Sequence, residues 1–264
     1  MNVTRANGVQ LHYSLEGPAD KPVIVFSNSL GTDFRVWDRL VARLDGRYRM
    51  LRYDKRGHGL SQATPAPYAM DDHVGDLIGL LDHLKLNSVV VCGLSVGGLI
   101  AQGLAARQPE RMRAMILMDT AAKIGTADMW NERMGAIEQG GIEALADPIM
   151  ERWLSAGFRA EKPEETLLWR NMLTRTPRDG YLGTCAAIRD VDLTTSTKNI
   201  VMPVLGIGGS EDGSTPPDVV RGTIDLIAGG RFELVEGAGH LPCVEDPDKV
   251  ASLITEFLKE NGIV

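Results

Sequence analysis

Six short apolar segments, most of them without polar alternation, constrain the fold of this 264-residue chain more than any other feature. Strands that are buried on both faces have this appearance, whereas a sheet with one wet face alternates apolar and polar residues. Amphipathic stretches lie between or after these segments, at residues 71–85, 97–108 and 247–260. The predicted strands are residues 23–26, 48–53, 88–92, 115–118, 204–207 and 231–235. Alternating strands and helices predict an α/β protein, with a mostly parallel twisted sheet and helices on both faces.

The strand pattern disappears between residues 121 and 195, where signals for helix starts recur. Thr126 is a possible N-cap residue before Ala127, Pro163 precedes two glutamates, and Thr176 is a possible N-cap residue before a proline. Each of these patterns is typical of the start of a helix. We therefore predict a helical cap inserted in the α/β core. The predicted boundaries are residues 1–120 and 196–264 for the core and residues 121–195 for the cap.

The charge balance and the lack of long apolar stretches narrow the classes of partner. The chain has 28 Lys and Arg residues against 35 Asp and Glu residues, a formal net charge of −7, and no basic stripe. Such a surface repels the phosphate backbone of nucleic acids. No apolar stretch has the length of a signal-peptide core or of a membrane span. We therefore expect a cytoplasmic protein that binds neither nucleic acid nor membrane.

The cysteines indicate neither a disulfide framework nor a zinc site. Cys92, Cys185 and Cys243 are odd in number and far apart in the sequence. They have no paired spacing and no histidine cluster near them. We expect reduced thiols in the core and no metal.

The pattern Gly-x-Ser-x-Gly at residues 93–97 follows a predicted strand directly and precedes a predicted helix. A serine on so sharp a turn has a strained backbone, and the two glycines remove Cβ atoms that would otherwise clash. The Ser95 hydroxyl then projects above the edge of the sheet, at the positive end of a helix. The bare pattern is common, but between strand and helix it is typical of a catalytic nucleophile. We predict that role for Ser95.

A serine nucleophile needs a base within hydrogen-bond reach and an acid that orients the base. His240 follows the last predicted strand on a glycine-containing loop, where its side chain can reach over the edge of the sheet, so we predict it as the base. The other four histidines are better explained in other ways. His12, His73 and His83 fit packed or solvated side chains of a strand and a helix, and His58 belongs to a turn-rich loop.

Two neighbouring acidic residues, Glu211 and Asp212, lie in the loop after the fifth predicted strand. We choose Asp212 as the acid. Asp119 is a competitor because it follows the fourth predicted strand directly, although it could instead serve as an anion at the start of the cap. The chain order Ser95, Asp212, His240 is the order of nucleophile, acid and base that goes with this type of turn.

The oxyanion that forms when a serine attacks a carbonyl needs hydrogen-bond donors. The amide after the nucleophile, here Val96, usually supplies one donor, and a loop after an early strand supplies another. The second donor is expected from residues 27–31, here named the oxyanion loop, with the Ser29 amide as the donor.

Together these segments resemble the α/β-hydrolase family across essentially the whole chain. The resemblance rests on the oxyanion loop, on residues 54–61, and on the segments around Ser95, Asp212 and His240. One departure is Ser27-Asn28-Ser29 in the oxyanion loop, where the family usually has His-Gly-x; a backbone donor survives that change. The resemblance implies the α/β-hydrolase fold with a helical cap.

Within that family the chain most resembles the β-ketoadipate enol-lactonases of bacterial aromatic catabolism, in the oxyanion loop and in residues 119–126 and 185–193. This resemblance implies hydrolysis of a small carboxylate-bearing enol-lactone to the open β-keto diacid, without metal or organic cofactor. A cation in or under the cap would then bind the substrate carboxylate, because an apolar pocket alone cannot orient a diffusible acid. The candidates for substrate binding are Lys123 and Arg133, with Trp130 as a cover for the lactone ring. Arg189 is a third cation, although its neighbours Asp190 and Asp192 favour a local ion pair instead.

Two other classes of function stay open. The same triad could perform ester hydrolysis, C–C bond hydrolysis of a β-diketone or perhydrolysis, because these reactions need only a different pocket. The fold could also serve as a small-molecule receptor, since some receptor-like relatives keep an intact triad. Haloalkane dehalogenation is opposed, because that chemistry uses a carboxylate where Ser95 stands. The sequence leaves the oligomeric state open.

Overall fold

The computed structural model describes residues 2–264, whose strands form one mixed sheet. The eight strands of this range are β1 (Asn2–Ala6), β2 (Val9–Glu16), β3 (Val23–Ser27), β4 (Arg49–Tyr53), β5 (Val89–Leu94), β6 (Met112–Met118), β7 (Val204–Gly209) and β8 (Arg231–Val235). They are ordered β1-β2-β4-β3-β5-β6-β7-β8. Strands β3 to β8 run parallel, whereas β1 and β2 extend one edge in antiparallel fashion. The prediction of a mostly parallel sheet is confirmed.

The hairpin of β1 and β2 is the part of the sheet that the apolar segments did not predict. Asn7 and Gly8 form its two-residue turn, with φ angles of 48° and 83°. Asn-Gly is a strong short-range signal for this kind of hairpin, because both residues tolerate positive φ. His12 is buried alongside Leu11 and Tyr13, so β2 lacks the regular alternation of apolar and polar residues that marks a half-buried strand.

Helices flank the sheet on both faces. The α-helices of residues 2–264 are α1 (Asp38–Leu44), α2 (Met70–Leu84), α3 (Val96–Arg107), α4 (Ala127–Gly140), α5 (Ala146–Trp153), α6 (Ala156–Glu161), α7 (Pro163–Thr174), α8 (Arg178–Asp190), α9 (Thr194–Thr197), α10 (Pro217–Ile224), α11 (Pro242–Glu245) and α12 (Pro247–Glu260). Short 3-10 helices cover Phe34–Trp37, Pro109–Arg111 and Ile142–Leu145. Helix α1 packs against α12, and α2 packs against α3. None of the helices in the described range has both the length and the apolar composition that crossing a bilayer requires.

Helices α4 to α9 fall between β6 and β7, in the part of the sequence where the strand pattern disappears. Thr126 accepts a hydrogen bond from the Met129 amide and begins α4, and Pro163 is the first residue of α7, as their sequence signals indicate. The signal at Thr176 also precedes a helix, but Thr176 itself is not the cap. Helix α8 begins at Arg178, and the Thr176 hydroxyl instead donates to the carbonyl of Gly31 or Met172. The division into a core of residues 1–120 and 196–264 and a cap of residues 121–195 remains a prediction.

The sheet places four loops at one edge. Strands β3, β5 and β7 are buried along their whole length, which explains their unbroken apolar sequences. Ser27 pairs with Gly93, Leu94 with Met118, and Met118 with Ile207, so the carboxyl ends of β3, β5, β6 and β7 lie side by side. Ligands of open α/β sheets bind at such carboxyl ends. The loops that leave them carry Ser29, Ser95, Asp119 and Asp212.

Candidate active site

Ser95 occupies a sharp turn between β5 and α3. Its φ of 57° and ψ of −120° lie outside the regions that a serine ordinarily adopts, and such strain persists only where surrounding contacts enforce it. The Ser95 amide donates to the Met118 carbonyl at 2.9 Å. A Cβ on Gly93 would lie 2.3 Å from the Gly97 carbonyl oxygen, and a Cβ on Gly97 would lie 1.9 Å from the Ser27 carbonyl oxygen. Both glycines are therefore required by close packing of the turn, as the sequence pattern indicates.

His240 and Asp212 form a buried hydrogen-bonded pair at the same sheet edge. His240 Nδ1 donates to Asp212 Oδ2 at 2.8 Å. The other Asp212 oxygen, Oδ1, accepts from the Ser214 amide at 2.7 Å and from the Thr215 amide at 3.1 Å. Burial raises the pKa of Asp212, but His240 and these donors outweigh it and hold the pKa below its ordinary value. Within residues 2–264, His240 Nε2 has no hydrogen-bond partner and is available to take a proton.

Thr215 belongs to this pair and was missed by sequence reasoning. Its Oγ1 lies 2.8 Å from Asp212 Oδ2 and 2.8 Å from the Asp119 carbonyl oxygen, and either oxygen can accept its proton. The same Oγ1 is 3.3 Å from His240 Nδ1. Aspartate side chains commonly accept from the backbone amide two residues on, and Asp212 does so from the Ser214 amide. That local signal indicates the turn, but nothing in the sequence identifies the Thr215 hydroxyl as a partner of Asp212.

Asp119 is fully buried beside Asp212 and adopts a positive φ of 43°. Its Oδ1 accepts from the Gly209 amide at 2.8 Å, whereas its Oδ2 has no partner among residues 2–264. Burial, and then the charge of Asp212, raise the pKa of Asp119 well above its ordinary value. The two carboxyl groups therefore differ, since Asp212 favours the ionised form and Asp119 the protonated one.

Asp119, Asp212 and His240 also form the one group within residues 2–264 whose side chains could hold a metal ion, with ligand atoms all within 4.8 Å of one another. The 2.8 Å between His240 Nδ1 and Asp212 Oδ2 is a direct hydrogen-bond distance. Two tetrahedral ligands at about 2.1 Å from zinc would be roughly 3.4 Å apart. The geometry therefore fits a hydrogen-bonded histidine better than a metal ligand.

The amides of Ser29 and Val96 lie where the sequence places them, after β3 and at the first position of α3. Neither amide has a hydrogen-bond partner within residues 2–264, although Ser29 is buried. Val96 is the first residue of α3, where an amide has no partner within the helix. The Ser29 amide lies outside any helix, and buried amides of that kind are nearly always paired, so its free N–H is unusual. Both amides are free to donate to an oxyanion.

The other acidic candidate and the other histidines have different partners. Glu211 Oε2 accepts from the Ala156 amide, at the start of α6, at 3.2 Å, so its carboxylate is engaged away from His240. His12 binds Asp54 at 2.8 Å, and His73 lies 3.3 Å from the Thr184 hydroxyl. His58 is buried, and its Nε2 accepts from the Gly31 amide at 3.0 Å.

Of the three cationic candidates for substrate binding, Arg133 differs from the other two. Lys123 pairs with Asp192 at 3.6 Å on the surface, where its side chain is 43% exposed. Arg189 pairs with Asp190 at 2.7 Å and also binds Asn131. Arg133 has no ion-pair partner within residues 2–264, and its guanidinium lies 4.9 Å from the centre of the Trp130 ring.

The charge of Arg133 acts on two buried side chains of α8, Tyr181 and Cys185. Burial raises the pKa of the Tyr181 hydroxyl, and it raises the pKa of the Cys185 thiol to about 12; the charge of Arg133 opposes both shifts. Tyr181 in turn packs over the oxyanion loop, with Cε2 3.1 Å from where a Cβ on Gly31 would lie. Trp130 is buried and donates to the Ile124 carbonyl at 2.7 Å, which fixes the ring against Arg133.

A cleft of about 840 Å³ lies away from this site. It runs between α7 and the segments that follow β3 and β4, and neither Ser95, Asp212 nor His240 lines it. Ser95 itself is 8% exposed. The three cysteines are buried free thiols.

Known proteins resemble this chain over nearly its whole length. The sequence profile of the alpha/beta hydrolase family matches residues 24–253. The chain is 35% identical over 254 residues to 3-oxoadipate enol-lactonase 2 of Acinetobacter baylyi, across 96% of this chain and 95% of that relative. The crystal structure of the enol-lactonase from Burkholderia xenovorans LB400 matches with a TM-score of 0.95 and 37% identity, over 98% of this chain and 100% of that one. A malate-bound thermophilic esterase from Thermogutta terrifontis matches with a TM-score of 0.92 and 25% identity, over 99% of both chains. This chain is a member of the alpha/beta hydrolase family.

Proposed function

We propose that this protein is a serine hydrolase that opens 3-oxoadipate enol-lactone with water to give 3-oxoadipate, in the β-ketoadipate pathway of aromatic catabolism. The full-length similarity to enol-lactonases carries the choice of substrate. The strained turn at Ser95 and the buried pair of His240 and Asp212 support the chemistry. A cytoplasmic location belongs to the same proposal.

His240 acts as the base and Ser95 as the nucleophile. Asp212 holds the His240 proton on Nδ1, so that Nε2 can accept the proton of the Ser95 hydroxyl as it attacks the lactone carbonyl. No hydrogen bond joins Ser95 Oγ and His240 Nε2 among residues 2–264; catalytic hydrogen bonds often form only when substrate is bound. The ionised state of Asp212 stabilises the imidazolium that this transfer produces.

The Ser29 and Val96 amides stabilise the negative charge that develops on the carbonyl oxygen. Donors fixed in a buried site stabilise the transition state without reorganising during the reaction. The absence of competing acceptors for either amide within residues 2–264 supports this assignment.

The leaving group is the enol oxygen of the ring. An enol is a better leaving group than an ordinary alkoxide, and protonated His240 supplies its proton. Water then attacks the acyl group on Ser95 with His240 again as base, and the free acid leaves. Conversion of the enol to the ketone makes ring opening hard to reverse.

Arg133 is the proposed partner of the substrate carboxylate. Guanidinium can bind a carboxylate through two parallel hydrogen bonds, which fixes orientation as well as charge. Arg133 is the candidate without an ion-pair partner in residues 2–264, and Tyr181 connects it to the oxyanion loop. Trp130 is proposed to cover the lactone ring. Lys123 and Arg189 stay as weaker candidates because acidic neighbours already pair with them.

A substrate panel tests the function. Purified protein is assayed with 3-oxoadipate enol-lactone, with a neutral aryl ester and with a β-diketone that reports C–C bond hydrolysis, and Ser95→Ala is the control for Ser95-dependent turnover. We expect the highest kcat/KM for the enol-lactone. A preference for the aryl ester would instead support a carboxylesterase, the alternative favoured by the similarity to the Thermogutta terrifontis esterase. If the protein hydrolyses none of these substrates, the result would favour the small-molecule receptor instead.

A further inference from the structure

Residues 54–61 follow β4 and are here named the clamp loop; all of them except Gly59 and Leu60 are buried, and the proposed mechanism assigns them no role. The loop packs against the oxyanion loop, and two of its side chains contact backbone groups there. Lys55 Nζ donates to the Ser29 carbonyl at 2.5 Å. His58 Nε2 accepts from the Gly31 amide at 3.0 Å. One clamp residue therefore binds a carbonyl of the oxyanion loop, and another binds an amide.

The Ser29 carbonyl is held by several donors. Thr32 donates to it from its amide at 3.3 Å and from Oγ1 at 2.9 Å, in addition to Lys55. The Ser29 amide has no partner within residues 2–264. The carbonyl and the amide share one Cα, so holding the carbonyl restricts how the amide can turn. A free amide in a fixed orientation is what an oxyanion donor requires.

Lys55 is unusual because it is 1% exposed and has no carboxylate partner in ion-pair contact within residues 2–264. Both of its hydrogen bonds go to backbone carbonyls, of Ser29 and of Thr32. Burial lowers its pKa well below the ordinary value, against the opposing charges of Asp54 and Asp33. Lysine is almost never fully buried unless it is paired, and removing an ammonium group from water is unfavourable. Stability alone therefore does not account for a lysine at this position.

His58 is fixed in one tautomer by its two partners. Its Nδ1 donates to the Arg56 carbonyl at 3.1 Å, which leaves Nε2 as the acceptor for the Gly31 amide. Burial lowers the pKa of His58 well below its ordinary value and keeps Nε2 unprotonated. The imidazole thus anchors the far end of the oxyanion loop.

We propose that Lys55 is a positioning residue for the reaction: it holds the Ser29 carbonyl so that the Ser29 amide points at the developing oxyanion. Lys55 contacts no reacting atom and acts through Ser29. This inference rests on the proposed function, because it requires Ser95 to attack a carbonyl group.

The proposal predicts that loss of the Lys55 donors changes kcat but not KM. An oxyanion donor contributes mainly in the transition state, so loosening it lowers kcat and leaves KM nearly unchanged. Removing an oxyanion donor costs about 10²–10³ in kcat, and we expect about 10- to 100-fold for loosening one. The same substitution should not lower the Tm, because an apolar side chain avoids the cost of burying an ammonium group.

The test compares Lys55→Met with Ser61→Ala. Methionine keeps the length of the stem and removes the donors. Ser61 lies in the same clamp loop and binds the backbone of Asp54 and His12, away from the oxyanion loop. For Lys55→Met we expect the fall in kcat with an unchanged or higher Tm. For Ser61→Ala we expect a lower Tm with an unchanged kcat.

A third readout uses phenylboronic acid, which adds to Ser95 Oγ and mimics the tetrahedral intermediate. We expect Lys55→Met to weaken phenylboronate binding by about the same factor as kcat. Wild-type kcat and phenylboronate affinity in Lys55→Met, or a loss of kcat that only follows a loss of Tm, would overturn the inference. Wild-type protein that hydrolyses neither the enol-lactone nor the aryl ester would refute the proposed function instead, and phenylboronate binding would still decide the role of Lys55.

If Lys55→Met does not fold, Thr32→Val carries the test. This substitution removes the Oγ1 donor to the same Ser29 carbonyl and keeps the shape of the side chain. We expect a smaller fall in kcat at unchanged KM. An unchanged kcat and unchanged phenylboronate affinity would refute positioning through the Ser29 carbonyl.

Discussion

Asp119 and Asp212 bring their carboxyl groups together at the buried ends of β6 and β7, where both lie within 4.8 Å of a His240 ring nitrogen. The two carboxyl groups accept different numbers of hydrogen bonds. Asp212 accepts from His240 and from the Ser214 and Thr215 amides, whereas Asp119 accepts from the Gly209 amide alone. The pKa of Asp212 is therefore lowered and that of Asp119 raised. Neighbouring carboxyl groups in different environments commonly divide into one ionised and one protonated member.

The first prediction is that Asp212→Asn costs far more activity than Asp119→Asn. Loss of the charge and of the tautomer control at His240 should lower kcat by about 10³–10⁴-fold. Asparagine at 119 replaces a group that favours its neutral form, so kcat should change by less than about tenfold. Steady-state kinetics of both variants with the enol-lactone measures this. A larger loss in Asp119→Asn would make Asp119 the acid.

The second prediction concerns stability against pH. The pKa of Asp119 is higher in the folded chain than in the unfolded chain, so above about pH 4 the folded state keeps a proton that the unfolded state releases. The free energy of unfolding therefore falls as pH rises from about 4 through the folded pKa. Asp119→Asn removes this titration, so its stability relative to wild type should increase as the pH rises above about 4.

Urea unfolding of both proteins at several pH values measures this difference. The carboxyl groups nearest Asp119, those of Asp212 and Glu245, titrate in both proteins, so their contributions largely cancel in the difference. Curves of unfolding free energy that run parallel from acid to neutral pH would show that Asp119 is ionised in the folded protein.

The third prediction is that Ser95→Ala abolishes turnover and leaves the fold intact. Loss of the nucleophile in serine hydrolases costs about 10⁶-fold in kcat. The hydroxyl contributes little packing, so the thermal melt and the circular dichroism spectrum should match those of wild type. A rate above about a few per cent of wild type, in protein purified free of contaminating hydrolases, would exclude Ser95 as the nucleophile.

The fourth prediction distinguishes the candidate cations by substrate charge. Arg133→Gln should lower kcat/KM for the carboxylate lactone by about 10- to 100-fold, because a charge-assisted hydrogen bond to the substrate carboxylate is lost. It should barely change kcat/KM for a neutral ester. Lys123→Gln and Arg189→Gln are measured beside it, and smaller losses are expected because both cations have acidic partners on the surface. Equal losses on both substrates at all three positions would favour a clamp of hydroxyl or backbone groups.

The sequence by itself predicted the strands and turns whose signals lie in residues close together along the chain. Unbroken apolar segments mark the strands that are covered on both faces, and β3, β5 and β7 are buried throughout. Gly93 and Gly97 mark the turn at Ser95, because the clashes that they avoid arise within a few residues and with the adjacent strand. The hairpin at Asn7 and Gly8 carried an equally local signal, although its strand pattern was interrupted by His12.

The tertiary structure decided the contacts between polar groups that are distant in the sequence. Lys55 meets the Ser29 carbonyl 26 residues away, and Asp119 reaches the Gly209 amide 90 residues away. Lys123 meets Asp192 only through folding, whereas the pair of Arg189 with its neighbour Asp190 was already indicated by the sequence and is confirmed. The physical reason is range: strand and turn patterns follow from local sterics and periodicity, whereas pKa shifts and ion pairs depend on which distant residues folding brings within a few ångströms.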